Sequence, residues 1–460
     1  MNGRLIESLA TTPALAALFS DESVLRAMLE FETALARAEA RHGLIPMAAA
    51  DVIAAAARPE KFDISVLAEA TFRAGTPTIP LVKMLTDLVR KTDAGAARFV
   101  HWGATSQDVA DTAMSLLLKR AEPILIADLL RLEKVLADLS ERHKQSLMLG
   151  RTLLQPAPPV TFGLKAAGWL APVRRGRRRL QKTFRVAAVL QFGGASGTLA
   201  SLGDRGITVA RALSAELGLG DSPPAPWHTQ RDQLATLICA CAVLTGSLGK
   251  MARDISLLMQ SEVGEAFEPG GEGRGGSSTM PNKRNPTACS LTLAAAHRVP
   301  GLVASFLSAM VQEHERGVGG WQAEWPIIAA VVQSTGVAIA SMAEVAEGLS
   351  VEAQRMRLNI ENTNGAIFAE RAMMLLGAKV GRDVAHKVLE VAVQKSVREG
   401  RQLAAVLGET PEVTTHLSRA ELEELETPEK YLGSAEAFRK ALASESSRQD
   451  GDRQDDDKEL

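Results

Sequence analysis

Apolar residues recur at helical spacing along most of the chain. Ser20, followed by two acidic residues, is typical of a helix start, and apolar residues then return every three or four positions until Gly43 and Pro46. Up to about residue 110 the predicted helices are short, because prolines break them. Five long helices are then predicted, over residues 109–145, 159–192, 231–268, 286–316 and 325–359.

Three stretches within these helices are apolar on most of their faces, at residues 234–248, 291–310 and 327–345. A helix that is hydrophobic all round must be covered on all sides, whereas one five-helix bundle leaves its outer faces wet. We therefore expect bundles that pack against copies of themselves. The first stretch has 15 residues, short of the roughly 20 that span a bilayer, so no membrane partner is predicted.

These patterns predict an all-α protein of three helical domains. Aromatic residues make up only 4% of the chain while alanine and leucine abound, which favours helices over sheets. The expected parts are an N-terminal helical domain (1–110), a central five-helix bundle (111–363) containing a glycine-rich loop (270–286), and a C-terminal helical domain (364–445). Residues 446–460 have little to bury and are expected to form a disordered acidic tail.

Composition excludes several classes of function. A net charge of −2 over 460 residues gives no field that favours nucleic acid, and the arginine-rich run 174–179 is interpreted as a solvated face or subunit contact. The three cysteines form no disulfide framework, and the N-terminus lacks a signal-peptide pattern, so a cytoplasmic location is expected. The eight histidines show no metal-ligand spacing, so no metal is predicted.

Residues 271–276 formally match the glycine fingerprint of dinucleotide sites. That fingerprint requires a preceding strand and a following helix. Here helical periodicity precedes it and Pro281 follows, so no nucleotide cofactor is predicted.

The segment that follows, residues 275–286, combines a flexible backbone with reactive and cationic groups. Two glycines free the backbone, and Ser277 places a hydroxyl on the mobile part. Lys283 and Asn285 follow between two prolines. A serine that moves a proton, beside a cation and an amide that stabilise charge on a carboxylate, suits carbanion chemistry.

Residues 101–112 predict an anion-binding helix start. His101, Thr105 and Ser106 precede a helix that carries Asp108 and Asp111. Free amides and hydroxyls at such a helix start can receive a carboxylate. They can also simply cap the helix, and the two roles are compatible.

Two polar clusters border apolar helices and need partners there. They either pair with one another or line a pocket for an anionic substrate. The clusters consist of His228, Gln230 and Arg231, and of His314, Glu315 and Arg316.

The motif Gly-Ser-Ser-x-Met-Pro-x-Lys-x-Asn-Pro within residues 276–286 resembles the signature loop of the fumarase/aspartase superfamily. Residues 101–112 and 150–157 also fit this resemblance, which extends from about residue 18 to about residue 432. It implies a homotetramer whose five-helix bundles form a twenty-helix core, with active sites shared by three subunits. It also implies a small polycarboxylate substrate and no metal or organic cofactor.

The resemblance also implies a role for each candidate residue. Ser277 would transfer the proton, and Lys283 and Asn285 would hold the negative charge that develops. The substrate carboxylates would be bound by His101, Thr105, Ser106, Gln230, Arg231 and Arg316.

One departure from the superfamily pattern narrows the expected reaction. Many members have a histidine after Gly-Arg-Thr, where this chain has Leu153, which cannot transfer a proton. A lyase that expels an amine benefits from that acid, whereas an expelled carboxylate, with a pKa near ~4, leaves without it. This favours the cycloisomerase branch, which residues 190–197, 226–232 and 312–316 also resemble.

Three alternatives remain. The protein could be a cycloisomerase that acts on a sulfonated analogue of the substrate, an adenylosuccinate-type lyase, or a non-catalytic scaffold. A second departure, Asn282, has no interpretation.

Overall fold

Helices form nearly all of the regular structure in the computed structural model, which describes residues 5–220, 223–271, 275–276, 280 and 283–445. The all-α prediction is therefore confirmed. The N-terminal helices are α1 Pro13–Leu18, α2 Asp21–Arg41, α3 Met47–Ala56, α4 Ile64–Ala74 and α5 Thr78–Thr92. Ser20 caps α2 as predicted, because its side chain accepts from the Ser23 amide.

The long helices occupy the middle of the chain, where each lies within or close to its predicted segment. They are α6 Ser106–Arg142, α7 Phe162–Ala187, α9 Asp232–Leu258, α10 Thr287–Ala309 and α11 Gly320–Glu347, with the shorter α8 Gly206–Leu217 between α7 and α9. Several predicted segments extend beyond the observed helices: 231–268 passes the end of α9 at Leu258, and 286–316 passes the end of α10 at Ala309.

Shorter helices resume towards the C-terminus, as predicted. They are α12 Ala353–Glu361, α13 Ala369–Val380, α14 Arg382–Glu399, α15 Leu403–Gly408, α16 Pro411–Thr414, α17 Arg419–Leu425 and α18 Ala435–Ser444. Short 3-10 turns occur at Glu7–Ala10, Pro59–Lys61, Ala96–Phe99, Ala200–Arg205, Ala366–Phe368 and Pro428–Tyr431. The predicted acidic tail, 446–460, lies outside the described residues.

A β-hairpin that was not predicted precedes α7. Its strands β1 Leu147–Thr152 and β2 Gln155–Thr161 are antiparallel, and Leu153 and Leu154 form the two-residue turn. Both turn residues have positive φ, 50° and 65°, which is unusual for leucine. A second small pair, β3 Ala266–Phe267 with β4 Ser350–Val351, is also antiparallel.

The chain divides into two compact units, each made of separate stretches. The first comprises the described parts of Met1–Leu130, Arg175–Gly249 and Ser290–Ser341, and its apolar core includes Leu25, Phe31, Leu81 and Val109. The second comprises the described parts of Arg131–Arg174, Lys250–Cys289 and Met342–Leu460, and its core includes Leu149, Phe368, Leu389 and Leu407. The three-domain division by sequence ranges remains a prediction.

Three helices, α9, α10 and α11, are long and apolar enough to cross a bilayer by length and composition alone. Within their most apolar windows, 61% of α9 and 72% of α11 are buried, but only 28% of α10. Helix α10 therefore carries an apolar surface that this single chain leaves open.

Candidate active site

The turn that leads into α6 contains two residues with positive φ. His101 has φ 58°, and Gly103 has φ 74°. A Cβ on Gly103 would lie 2.6 Å from the Leu202 side chain, so only glycine fits there. The turn thereby brings Thr105 to the start of α6, where Ser106 is the first helical residue.

Asp108 ties this helix start to the loop at residues 190–197. Its buried carboxylate accepts hydrogen bonds from the amides of Gly193 and Gly194 at 3.0 and 2.9 Å, and from the Thr105 amide at 3.0 Å. The Nε2 atom of buried His228 lies 2.7 Å from the same carboxylate. The capping pattern predicted for Thr105–Asp108 is present, because the Asp108 side chain reaches back to the Thr105 amide.

One turn further along α6, Asp111 is the centre of a buried ionic network. Arg231, 2% exposed, donates to Asp111 at 2.8 and 3.1 Å and to Glu324 at 2.6 to 3.2 Å. Its guanidinium also lies 4.7 Å from the ring centre of Trp227. The Trp321 ring N–H donates to Asp111 at 3.0 Å. The guanidinium of Arg231 is therefore already engaged by two protein carboxylates.

Arg316, in the loop between α10 and α11, has a different environment. It donates to the Thr105 hydroxyl at 2.9 Å and to the carbonyls of Gly194 and Ala195 at 2.9 and 2.7 Å. Within the described residues its acceptors are uncharged oxygens. Arg316 is half-buried, so its guanidinium lies beside the start of α6 at a place that solvent reaches.

His101 is held by a carboxylate that the sequence analysis did not identify. Its Nδ1 atom lies 2.6 Å from Oε1 of Glu32, which α2 contributes and which is 1% exposed. Burial alone would lower the pKa of His101, but the charge and hydrogen bond of Glu32, with Asp108 nearby, raise it above its ordinary value. The histidine therefore stays cationic to higher pH than a free imidazole.

Two further predicted substrate contacts, Ser106 and Gln230, also lie in the first unit. Ser106 is half-buried, and its carbonyl accepts from the Thr78 hydroxyl at 3.0 Å. Gln230 is exposed and lines a cavity of about 740 Å³ together with Trp227, Lys119 and Glu122.

The signature loop belongs to the second unit and is described in part. Ser277 and Asn282 lie outside the described residues, whereas Lys283 and Asn285 lie inside them. Lys283 is exposed, and its amide donates to the Met280 carbonyl at 3.1 Å. The Asn285 amide donates to the Gly275 carbonyl at 2.9 Å.

Two residues anchor the loop where it enters α10. Buried Glu268 accepts from the first amides of that helix, those of Ala288 and Cys289, both at 3.1 Å. Arg284 donates to the Glu268 carbonyl at 3.1 Å and covers the Phe267 ring at 4.9 Å. Gly275 has φ 61°, and a Cβ there would lie 2.7 Å from the Asn285 carbonyl. Lys283 is thus carried on a segment fixed at its C-terminal end.

The structure brings together part of the predicted site. Thr105 and Arg316 are directly bonded, and Asp108 and Gly194 join them to the helix start. In the part of the chain that the structure describes, no hydrogen bond or ion pair joins the two predicted polar clusters, and Arg231 binds Asp111 and Glu324 instead. Sequence reasoning missed Glu32, although an acid on the apolar stripe of α2 was a visible signal.

Chemically, this arrangement can receive carboxylates. The guanidinium of Arg316, a histidine whose pKa is raised by Glu32, a hydroxyl and a helix N-terminus all favour negative charge. Among the described residues, no group of three or more His, Cys, Asp or Glu side chains could hold a metal ion.

A mainly helical chain that has hydroxyls and Arg316 at a helix start, and a serine, lysine and asparagine in one loop of its sequence, is typical of the lyases that act on carboxylate substrates. The chain belongs to the fumarase/aspartase superfamily: residues 7–301 match the family described as "Lyase", and residues 365–442 match "Adenylosuccinate lyase C-terminus".

Particular relatives are similar over nearly the whole chain. The 3-carboxy-cis,cis-muconate cycloisomerase of Bradyrhizobium diazoefficiens is 49% identical over 94% of this chain and 96% of its own. That of Pseudomonas aeruginosa is 50% identical over 93% of both chains. A nitrosuccinate lyase of Streptomyces davaonensis is 43% identical over 94% of this chain and 93% of its own.

A solved structure supports the same relationship. The 3-carboxy-cis,cis-muconate lactonizing enzyme of Pseudomonas putida superimposes with a TM-score of 0.90 at 45% identity, covering 97% of this chain and 99% of that chain. The expected resemblance to the cycloisomerase branch is therefore confirmed.

Proposed function

We propose that this protein is a 3-carboxy-cis,cis-muconate cycloisomerase, which converts 3-carboxy-cis,cis-muconate into 4-carboxymuconolactone in the protocatechuate branch of the β-ketoadipate pathway. The observation that carries this proposal is the 49 and 50% identity to two enzymes of that name over almost the full chain. The structural match to the lactonizing enzyme supports it.

The geometry of the first unit suits a substrate with three carboxylates. Arg316 has uncharged protein acceptors, so its charge is available to an anion, and Thr105 lies directly beside it. His101 is the second group that favours an anion, because Glu32 raises its pKa and so favours its cationic form. Ser106 and Gln230 are retained as further substrate contacts. For Arg231 we assign a positioning role, because Asp111 and Glu324 already engage it.

In the proposed reaction, one substrate carboxylate oxygen adds to a carbon of the conjugated double bond and forms the lactone C–O bond. The electron pair of that double bond moves towards the adjacent carboxylate, which gives an enolate-like intermediate. Lys283 and Asn285 stabilise the charge there, and the Ser277 hydroxyl delivers a proton to the neighbouring carbon. In reverse, the serine alkoxide removes that proton and the carboxylate leaves.

In the reverse reaction, opening of the lactone, the leaving group is a carboxylate, and this explains why the chain can have Leu153 in place of an acid. A carboxylate with a pKa near ~4 leaves unprotonated at neutral pH. Leu153 is 96% exposed at the tip of the β1–β2 hairpin, so its identity is not dictated by packing within this chain.

The proposal includes a cytoplasmic homotetramer with shared active sites. Helix α10 has an apolar sequence, yet only 28% of its most apolar window is buried. Packing against copies of the chain would cover that surface. The measured mass of the native protein tests this: four chains of 49.0 kDa are expected.

The decisive experiment is an ultraviolet assay that follows loss of the conjugated diene of 3-carboxy-cis,cis-muconate. Parallel reactions with 3-sulfomuconate, nitrosuccinate and adenylosuccinate separate the alternatives, and the match of residues 365–442 to adenylosuccinate lyase is the reason to include the last. Turnover of the carboxymuconate above all others is expected. Fumarate release from adenylosuccinate as the main activity would overturn the proposal.

Two serine variants then test the mechanism. Ser277→Ala should lower kcat by roughly 10²–10⁴-fold, the usual contribution of a positioned proton donor. Ser278→Ala, its neighbour in the same loop, should lower kcat far less. Equal losses in the two variants would remove Ser277 from the role of proton donor.

A further inference from the structure

Glu32 is a buried acid in contact with His101, one of the proposed substrate-binding residues. It lies in the middle of α2, in the apolar core that includes Leu25, Met28 and Leu35. A carboxylate in such surroundings is costly unless it has a partner. Its Oε1 atom lies 2.6 Å from Nδ1 of His101.

This hydrogen bond decides which ring nitrogen of His101 faces outward. The Nδ1–H group is committed to Glu32, so Nε2 is the remaining position at which the ring can bind a ligand. Within the described residues, Glu32 is the hydrogen-bond partner of the ring. The side chain of His101 keeps 16% of its surface exposed, whereas that of Glu32 keeps none.

We propose that Glu32 is a positioning residue, which holds His101 in one orientation with a protonated Nε2 directed at a substrate carboxylate. The backbone supports this role. His101 has φ 58°, a left-handed conformation that few residues other than glycine adopt, and the bond to Glu32 fixes the ring on that turn.

The electrostatic surroundings of His101 are consistent with a cation. The facing acids are Glu32 from α2 and Asp108 from α6, and both raise the pKa of His101 against the effect of burial. Arg316 is bonded to Thr105 nearby. Glu39 lies on the same helix as Glu32 but is neutral at physiological pH, because burial and the charge of Glu32 raise its pKa to about 9.

The first test measures protonation of His101 directly, without any substrate. Diethyl pyrocarbonate acylates neutral imidazole, so the pH dependence of His101 modification, followed by peptide mass spectrometry on the native protein, reports its pKa. Glu32→Gln keeps an oxygen that can accept from Nδ1–H but removes the charge. We expect modification of His101 to begin at lower pH in this variant. Exposed His416 in the same digest is the internal reference.

Glu39→Gln is the matched control, since it is equally buried on the same helix and its carboxylate oxygens make no hydrogen bond within the described residues. This variant should leave the pH dependence of His101 modification unchanged. Equal profiles in wild type and Glu32→Gln, or equal shifts in the two variants, would overturn the inference.

The second test uses turnover, and it is the part that rests on the proposed function. Glu32→Gln should raise KM about tenfold, the loss of one charge-assisted hydrogen bond, and change kcat less. In a His101→Asn background it should have no further effect, because Glu32 acts through His101. Independent, additive losses would contradict the positioning role. If the wild type does not turn over the muconate but Glu32→Gln still shifts the pH dependence of His101 modification, the proposed function is refuted and the Glu32–His101 pairing stands.

Discussion

Two arginines that the sequence analysis treated alike have opposite environments in the first unit. Arg231 is buried and paired with the carboxylates of Asp111 and Glu324. Arg316 is half-buried, and the oxygens that it contacts, those of Thr105 and two carbonyls, carry no charge. A guanidinium between two carboxylates has no charge to offer a ligand, whereas one among neutral acceptors does. We therefore propose that Arg231 holds the site together and that Arg316 binds substrate.

The largest expected effect comes from removing the paired arginine. Arg231→Met leaves Asp111 and Glu324 buried without their cation, which should lower the free energy of unfolding by about 3–5 kcal/mol. Denaturant unfolding of the assembled protein measures this. Arg131→Met is the control, because Arg131 bonds Glu347 at an exposed surface and should cost less than about 1 kcal/mol. Equal, small losses would show that the buried network does not stabilise the fold.

The second effect concerns the other arginine. Arg316→Met should lower kcat/KM on the order of 10²-fold, since about 3 kcal/mol of charged hydrogen bonding to substrate is lost. Unfolding should change little. Arg316→Lys keeps the charge but not the two-pronged geometry, so its kcat/KM should lie between those of wild type and Arg316→Met. Wild-type kinetics in Arg316→Met would show that this guanidinium, like that of Arg231, does not bind substrate.

Glu39 is a buried acid that, unlike Asp111 and Glu324, has no hydrogen-bond partner for its carboxyl oxygens among the described residues. Glu39 has a pKa of about 9 because of burial and the charge of Glu32. The folded state therefore retains a proton that the unfolded state releases near the ordinary carboxyl pKa. Stability consequently falls as pH rises between these two values, by at most about 1.4 kcal/mol per unit. Glu39→Gln should flatten the loss of thermal stability between pH 7 and 9, as measured by Tm. If Tm falls as steeply between pH 7 and 9 in Glu39→Gln as in the wild type, Glu39 is already ionised in the folded protein at pH 7.

How much could be predicted depended on whether the evidence was local in sequence. The signature loop was recognisable because Ser277, Lys283 and Asn285 lie within nine residues. The long helices were recognisable by periodicity. The β1–β2 hairpin was not, because its turn consists of two leucines with positive φ rather than the usual asparagine and glycine.

Roles that depend on distant partners could not be predicted. Arg231 and Arg316 both follow histidines in polar clusters, and only the fold shows that Arg231 meets acids 120 and 93 positions away. Glu32 likewise meets His101 across 69 positions. Whether a charged side chain is paired is a property of the folded core, which composition and spacing do not contain.

The smallest predicted effect tests the contact that distinguishes Arg316. Thr105→Val removes the hydroxyl that Arg316 contacts while keeping the shape of the side chain, so about 1 kcal/mol, or roughly fivefold in KM, should be lost. Thr86→Val is the control, because the Thr86 hydroxyl donates to the Val82 carbonyl of its own helix and, within the described residues, to no other group. In an Arg316→Met background the Thr105 substitution should have much less effect, since the hydroxyl positions the guanidinium. Full additivity would instead mean that Thr105 binds substrate by itself and that Arg316 does not need it.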